Sequence, residues 1–510
     1  MNGQRANDGD RRQEPADPPG GTDPGAERRR LDEARDGVAW RQWGPYVADR
    51  QWGTVREDYS EFGTAWDYLP HDHARSRAYR WGEDGLLGIS DQLGRLNFAL
   101  ALWNGQDAIL KERLFGLTGP EGNHGEDVKE VYAHLDATPT GSYLKALYRY
   151  TQRAFPYADL VAENRRRDRS APEYELADTG VFDENRFFDV EVEYAKAGPE
   201  DIVIRVTATN RGPDEAPLHL LPTLWYRNTW SWGRRDERPS IALETGAQRG
   251  MTLLASHPRM GDYRLAVDVE CDALFTENET NTERLFGVPN ATPYVKDAFH
   301  AALIDGRADA VNPGQTGSKA AAHVTWTIPA GATMTLRLRL ARKLAEQPFD
   351  DADEVLAARI ADTDAFYAPL GDGLSADEAL VQRRAFAGLI WTKQLFLFDV
   401  GKWLDGDPAF PPPPTARRRG RNSAWRELNT QDVLSMPDGW EYPWFAAWDL
   451  AFHMLPMALV DPDFAKDQLL LLTREWYQHP NGQLPAYEWA FSDVNPPVHA
   501  WAAWRVYKID

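Results

Sequence analysis

The sequence has a single cysteine, no long apolar run and no excess of positive charge. The one cysteine, Cys271, excludes an internal disulfide framework and a zinc site built from several cysteines. No apolar stretch approaches the ~18 residues of a membrane span, and none follows the N-terminus as a signal peptide would, so we expect a cytoplasmic protein. The net charge of −21 argues against nucleic acid and anionic membranes as partners, because both attract basic patches.

Aromatic residues, by contrast, are abundant. The 510 residues include 20 Trp, 19 Tyr and 20 Phe, and half of the Trp lie after residue 375. Flat rings at this density form either a large core or platforms that stack on sugars. The length suggests two to four domains, at about 150 residues per domain.

The N-terminal part of the chain has the patterning of β-structure. Residues 1–37 are rich in Asp, Arg, Pro and Gly and poor in apolar residues, so we predict a disordered tail there. Within residues 38–342, apolar and polar residues alternate in runs such as 188–194 and 202–208, which Gly and Pro turns separate. This period predicts an antiparallel β-sandwich over residues 38–342.

The C-terminal part has helical patterning instead. Residues 343–374 predict a helical linker, and residues 375–510 predict a helical domain. Its first helix begins at a capping box of Ser375 and Glu378 and extends to about residue 403. The sequence predicts a loop over residues 405–443. Because this loop is longer than ordinary connections between elements, we expect it to be a functional lid or wall. Three further helices are predicted at about residues 444–459, 463–477 and 496–508.

One candidate carboxylate lies among aromatic residues near the C-terminus. Asp493 precedes a helix start at Asn495, on a loop that also carries Trp489 and Phe491. Burial among rings raises the pKa of a carboxyl, as a general acid requires, whereas a helix N-terminus favours its ionised form. Helix capping is the simpler interpretation, and the spacing alone leaves both open. Glu488, in the same loop, is either an acceptor for sugar hydroxyls or an ordinary surface residue.

A second carboxylate directly follows a tryptophan in a predicted helix. Asp449 comes after Trp448 and close to Trp444, within an apolar stretch. Its oxygens could accept hydrogen bonds from sugar hydroxyls while Trp444 or Trp448 stacks on the ring. An intramolecular partner, such as an Arg or backbone amides, is the alternative that the spacing leaves open.

Metal-binding motifs are weak in this sequence. The three residues from His71 to His73 are adjacent in the chain and therefore point in different directions, which disfavours a metal site. Asp405 and Asp407 resemble a fragment of a calcium loop without the remaining ligand spacing. We therefore predict no metal and no organic cofactor, with a structural calcium ion left open.

Several segments together have a specific pattern. In one-letter code they are WYQHPNGQLPAYEW at 476–489 with DVNPP at 493–497, WFAAWD at 444–449, EDYS at 57–60, AYRWGEDG at 78–85 and DATPT at 136–140. They resemble glycoside hydrolase family 63, the mannosyl-oligosaccharide glucosidase family, in its bacterial branch. The resemblance covers about residues 38–510.

The resemblance implies a fold, an activity and site residues. It implies a β-sandwich followed by an (α/α)6 barrel, and an inverting exo-acting α-glycosidase that hydrolyses glucosyl or related oligosaccharides. It also implies that Asp493 is the general acid and that Trp448 and Asp449 hold the sugar. We assign to substrate binding, in addition, Trp444, Glu488 and Trp489.

The chain departs from the family in one respect. The second catalytic carboxylate of the family, a Glu, has no counterpart here, and residues 375–510 predict four helices where a barrel needs twelve. We therefore expect the N-terminal portion of such an enzyme, with an incomplete barrel, a base beyond residue 510, and negligible activity of the 510-residue chain alone. Two alternatives remain: a non-catalytic carbohydrate-binding protein, or another (α/α)6 enzyme such as a trehalase-like hydrolase or a phosphorylase.

Overall fold

A computed structural model describes residues 25–50, 70–123, 127–234, 237–244, 250–420, 423–437, 439, 446–484 and 496–510. The strands in these residues are β1 Trp43–Gly44, β2 Leu86–Asp91, β3 Leu96–Trp103, β4 Gly116–Leu117, β5 Asp127–Val128, β6 Tyr132–Ala137, β7 Tyr143–Thr151, β8 Phe187–Gly198, β9 Asp201–Asn210, β10 Ala216–Tyr226, β11 Ser240–Leu243, β12 Met251–His257, β13 Gly261–Val267, β14 Asp272–Thr276, β15 Thr316–Gly317, β16 Lys319–Ile328, β17 Thr333–Ala341, β18 Lys393–Asp399 and β19 Asn429–Ser435. The α-helices are α1 Ala26–Arg35, α2 His71–Ala74, α3 Tyr157–Arg166, α4 Thr282–Phe286, α5 Ala298–Leu303, α6 Ala352–Tyr367, α7 Ala376–Trp391, α8 Val400–Asp405, α9 Ala447–Val460, α10 Pro462–Leu471 and α11 Val498–Ile509.

Two large antiparallel sheets form the N-terminal part of the protein. One has six strands in the order β1-β2-β3-β10-β16-β14, and the other has nine in the order β15-β11-β12-β13-β17-β9-β8-β7-β6. In β8 and β9 the alternating apolar side chains, such as Val192 and Ile204, are fully buried. Successive strand residues point to opposite faces, so the period in the sequence places one face of each strand in the core. The prediction of large antiparallel sheets followed by helices is confirmed.

The main core contains side chains from both sheets. Leu100 and Leu220 from the six-stranded sheet join Tyr148, Val192 and Leu338 from the nine-stranded sheet in one apolar cluster. The C-terminal end of helix α7 enters the same cluster, and α7 packs along strand β6. The helical part is therefore joined to the sheets through apolar contacts.

A second apolar core lies in the helical part. Helices α9, α10 and α11 pack against one another there, around buried residues such as Trp425, Met454 and Ala502. Trp81, from the loop before β2, enters this core and makes an edge contact with Phe398 at 5.6 Å between ring centroids. A loop of the sheet region is thus part of the helical core.

The prediction of a disordered tail over residues 1–37 is wrong for helix α1. Glu27 and Arg30 of this helix are buried, and the Glu27 carboxylate accepts hydrogen bonds from the hydroxyls of Thr140 and Ser142. The composition suggested disorder because the segment has few apolar residues, but polar contacts to a distant loop hold it in place. Residues 1–24 lie outside the described residues.

The helix predicted from Ser375 to about residue 403 is also corrected. The capping box of Ser375 and Glu378 is present, but α7 ends at Trp391 and strand β18 follows. This strand pairs antiparallel with β19, which lies inside the segment predicted as a loop over residues 405–443. The pairing partners lie at least 30 positions away, so the helical period of the local sequence did not reveal them.

The later helices occur near their predicted positions, with one that is shorter. Helix α10 ends at Leu471 rather than near residue 477, because Tyr477 turns inward and its hydroxyl donates a hydrogen bond to Asp432 of β19 at 3.0 Å. In the described part of the chain after residue 375, β18 and β19 form a two-stranded sheet and the other elements are helical. The (α/α)6 barrel stays a prediction.

Candidate functional site

Helix α9 carries Trp448 and Asp449 in its first turn. Trp448 and Phe452 are four residues apart and therefore lie on one face, where they are 45% and 46% exposed. Their ring centroids are 6.0 Å apart, and Trp501 of α11 lies 5.6 Å from Phe452. Trp448, Phe452 and Trp501 thus form an exposed aromatic row, and the half-buried Asp449 directly follows Trp448 in the chain. The opposite face of α9 buries Ala447, Leu450, Ala451 and Met454.

Trp444, Glu488, Trp489 and Asp493 lie outside the described residues, and their roles stay predictions. The helix expected after Asp493 is present as α11. On it, His499 Nε2 donates a hydrogen bond to the carbonyl of Leu469 at 3.0 Å, and burial lowers the pKa of the imidazole.

A cavity of about 640 Å³ lies where loops of the sheet region meet residues 402–417. We call it the junction cavity. Two of its lining side chains, Phe286 and Phe410, are more than half exposed, whereas Trp81, Trp232 and Trp403 are largely buried. The Trp232 and Phe410 ring centroids are 5.7 Å apart. Part of the segment predicted to be a functional lid or wall, including Pro411–Pro414, lines this cavity.

An ion-pair network crosses the junction cavity. Arg80 Nε donates to Asp407 Oδ2 at 2.7 Å, and Arg234 Nε donates to Asp407 Oδ1 at 2.8 Å. The Arg80 guanidinium also lies 4.2 Å from the ring centroid of Trp81 and 5.4 Å from that of Trp232. Asp407 therefore connects the loop over residues 402–417 to two loops of the sheet region.

Buried polar groups hold the loop that carries Arg80. Asp84 accepts hydrogen bonds from the Tyr79 hydroxyl at 2.7 Å and from Arg113 Nε at 3.0 Å. Burial alone would raise the pKa of Asp84, but the charges of Arg113 and Lys296, together with the hydrogen bonds from Tyr79 and Arg113, lower the pKa. Glu83 accepts a hydrogen bond from Asn278 Nδ2 at 2.8 Å, and burial raises the pKa of its carboxyl. These hydrogen bonds tie the segment that follows Arg80 to Arg113 and Asn278.

The candidate metal ligands are occupied by cations of the chain itself. Asp407, which the sequence suggested as part of a calcium-like fragment, pairs with two arginines. Asp127, Glu173 and Glu175 lie close enough together to hold an ion. The ammonium of Lys129 contacts all three carboxylates, however, at 3.0 Å from Glu173 and 2.9 Å from Glu175. This cluster is therefore an ion-pair group around the buried ammonium of Lys129.

Sequence reasoning did not identify most of the junction cavity. Arg80 and Trp81 belong to the segment 78–85 of the family resemblance, whereas no sequence pattern pointed to Trp232 or Phe286. These residues come from segments more than 40 positions apart, so no local spacing connects them. The three Trp within residues 225–232 were the one local signal that could have drawn attention to this region.

Comparison with known proteins bears on the C-terminal segment. Residues 442–510 match the family model of the mannosylglycerate hydrolase MGH1-like glycoside hydrolase domain. An uncharacterised protein of Saccharomyces cerevisiae is 44% identical over 534 residues, which cover 95% of this chain and 49% of that protein. The chain thus spans about half the length of this relative.

Two solved structures are weakly similar. A family GH92 α-mannosidase from Bacteroides thetaiotaomicron has a TM-score of 0.26 and 11% identity, with 88% of this chain and 51% of that chain covered. A galactose mutarotase related enzyme from Lactobacillus acidophilus has a TM-score of 0.19 and 8% identity, with 50% and 94% covered. Scores this low carry no argument about fold or function.

In the described part of the chain, no helix combines the length and the apolar character needed to cross a bilayer. The similarity to a glycoside hydrolase-like domain covers residues 442–510. The assignment to family 63 in particular stays a prediction.

Proposed function

We propose that the chain acts in an inverting, exo-acting α-glycosidase on glucosyl or related oligosaccharides. The observation that carries this proposal is that the matched segment, residues 442–510, contains Trp448, Asp449 and Asp493. Asp449 directly follows Trp448, a member of the aromatic row of α9 and α11, so a carboxylate and a stacking ring occur in the same helical turn. Sugar recognition needs this combination of a polar group and an apolar ring.

In this proposal each site residue has a defined role. Asp493 protonates the glycosidic oxygen, and a second carboxylate activates water on the opposite face of the sugar, ~6.5–9.5 Å away. Asp449 accepts hydrogen bonds from sugar hydroxyls while Trp448 stacks on the ring. Trp444, Glu488 and Trp489 complete the sugar site. We assign no described residue to the role of the base.

Hydrolysis of defined α-glycosides tests the proposal. The full-length product of the gene that encodes this chain is incubated with maltose, kojibiose, α-1,2-mannobiose and mannosylglycerate, and ¹H NMR follows the anomeric protons. Mannosylglycerate is included because the matched family model is named for its hydrolysis. We expect hydrolysis of at least one substrate, with the β-anomer of the released sugar formed first, because inversion of an α-linkage produces it.

Two matched variants separate the catalytic role from a structural one. Asp493→Asn should lower kcat by at least about 100-fold while sugar binding persists, because the amide keeps its shape but cannot deliver a proton. Asp467→Asn, at an exposed position of α10, should leave kcat unchanged. First release of the α-anomer would contradict inversion. Absence of hydrolysis with retained binding would favour the non-catalytic carbohydrate-binding alternative.

A further inference from the structure

We propose that the junction cavity is a binding site for a short neutral glycan, separate from the sugar-holding residues predicted on helix α9. Its volume of about 640 Å³ lies within the ~300–1,000 Å³ that is typical of small-molecule sites. Neither Trp448 nor Asp449 is among its lining residues. The proposal concerns binding and does not depend on hydrolysis by Asp493.

The aromatic residues of the cavity favour a ligand with apolar faces. Phe286 is 55% exposed and Phe410 is 53% exposed, although both line a concave surface. Exposed rings in a cavity offer flat surfaces to the CH groups of a pyranose, and burying them on a ligand removes apolar area from water. Val288, also more than half exposed, extends the apolar surface next to Phe286 in the chain.

The polar residues of the cavity favour hydroxyl groups over a charged ligand. Arg80 lines the cavity but already pairs with Asp407 through two nitrogens, at 2.7 and 3.3 Å. Lys402 pairs with Asp399 at 2.8 Å, and Arg417 donates to the carbonyl of Trp403 at 3.2 Å. An anion would have to compete with Asp407 for Arg80 and with Asp399 for Lys402. A hydroxyl group can instead accept a hydrogen bond from the cation and donate one to the carboxylate of each ion pair.

The architecture of the cavity also fits a preformed binding site. Hydrogen bonds to Asp84 and Glu83 hold the loop that carries Arg80, and Asp407 links this loop to the opposite wall. Preorganisation of this kind lowers the entropy that a ligand must lose on binding. A glycan placed there contacts both the sheet region and the loop over residues 402–417.

Calorimetry with neutral and charged sugars tests the proposal. The full 510-residue chain is titrated with maltotriose, kojibiose, α-1,2-mannobiose and, as a charged probe, glucose 6-phosphate. We expect at least one neutral sugar to bind and glucose 6-phosphate to bind more weakly. If the wild type hydrolyses the sugars, the titrations use Asp493→Asn. Failure of all three neutral sugars to bind, or tighter binding of glucose 6-phosphate, would overturn the proposal.

Variants at exposed positions locate the binding without unfolding the protein. Phe410→Ala and Phe286→Ala should each weaken binding about 3- to 10-fold, as expected for the loss of one ring contact. Ala291→Trp, at an exposed position in the lining, should block the cavity and abolish binding. Tyr507→Ala, at a position on α11 that is 77% exposed and outside the lining, is the control and should bind as the wild type does.

The pattern of losses separates this proposal from the glycosidase proposal. The cavity site would be refuted if Ala291→Trp bound the sugar as the wild type does. It would also be refuted if Tyr507→Ala lost sugar binding while Phe410→Ala kept it, because the sugar would then bind elsewhere. Binding that depends on Phe410 in a protein without hydrolytic activity would support the cavity site and count against the glycosidase. Hydrolysis together with sugar binding that does not depend on Phe410 would support the glycosidase proposal and count against the cavity site.

Discussion

Replacing Glu27 by Ala tests whether helix α1 is a docked part of the fold. The Glu27 side chain is buried, with 1% of the residue exposed. Its Oε1 accepts hydrogen bonds from the Thr140 amide at 3.0 Å and the Thr140 hydroxyl at 2.7 Å. Its Oε2 accepts from the Ser142 hydroxyl at 2.6 Å and from Arg30 Nη1 at 3.2 Å. Alanine would leave all these buried donors without their acceptor.

The expected cost follows from the energetics of buried charges. Removing one partner of a buried ion pair typically costs about 3–5 kcal/mol, and each hydrogen bond to a charged group contributes about 1.5–3 kcal/mol. These contributions share one carboxylate and are not additive, so we expect a loss of about 3–5 kcal/mol in the free energy of unfolding. Arg30 also pairs with Asp362, which keeps α1 partly attached and limits the loss.

Urea denaturation and hydrogen exchange measure this effect against a control in the same helix. Asp32→Ala removes a pair with Arg35 at 3.0 Å whose side chains are 62% and 57% exposed, so the loss should stay below about 1 kcal/mol. The amides of residues 26–35 should lose protection in Glu27→Ala and keep it in Asp32→Ala. Equal unfolding free energies and equal protection in the two variants would refute the docking of α1.

Three further predictions follow from individual residues. Burial lowers the pKa of His134 to about 4, so between about pH 6.5 and pH 4 the unfolded state binds a proton that the folded state does not bind. The free energy of unfolding should therefore fall as the pH falls from 6.5 to 4. Urea denaturation of His134→Phe should show this dependence on pH reduced by up to ~1.4 kcal/mol per pH unit. An unchanged slope would contradict this explanation. Ser375→Ala removes the capping box of α7 and should cost about 1 kcal/mol, visible as faster amide exchange in its first turn, whereas Ser375→Thr should preserve protection. Trp448→Ala should raise KM several-fold with a smaller effect on kcat. The control is Trp504→Ala on α11, where Trp504 is 55% exposed, and it should change neither constant. Equal effects of the two substitutions would contradict the assignment of Trp448 to the site.

Local patterns predicted much of the fold because they act over a few residues. The alternation around Val192 and Ile204 identified strands, since a period of two has one structural consequence in a half-buried sheet. The spacing of Ser375 and Glu378 identified the start of α7, because a capping box is satisfied within one helical turn. These features need no knowledge of the rest of the chain.

The candidate site was predicted only in part. The positions of Trp448 and Asp449 at the start of a helix could be derived from the sequence, and the structure adds that Trp448 lies on the exposed face with Phe452. The contact of Phe452 with Trp501 joins two helices about 50 residues apart, so no local pattern encodes it. The catalytic role of Asp493 stays a prediction from the resemblance.

The sequence by itself determined the division into regions of alternating and of helical hydrophobic patterning. It also determined the capping box of α7 and identified Asp449 and Asp493 as the candidate carboxylates. Only the tertiary structure decided that Glu27 is buried against residues more than 110 positions away, and that β18 pairs with β19 instead of extending a helix. The same holds for Arg80 and Asp407, whose ion pair crosses the junction cavity. The physical reason is that intrinsic propensities differ by less than about 1 kcal/mol per residue, so contacts with distant segments override them.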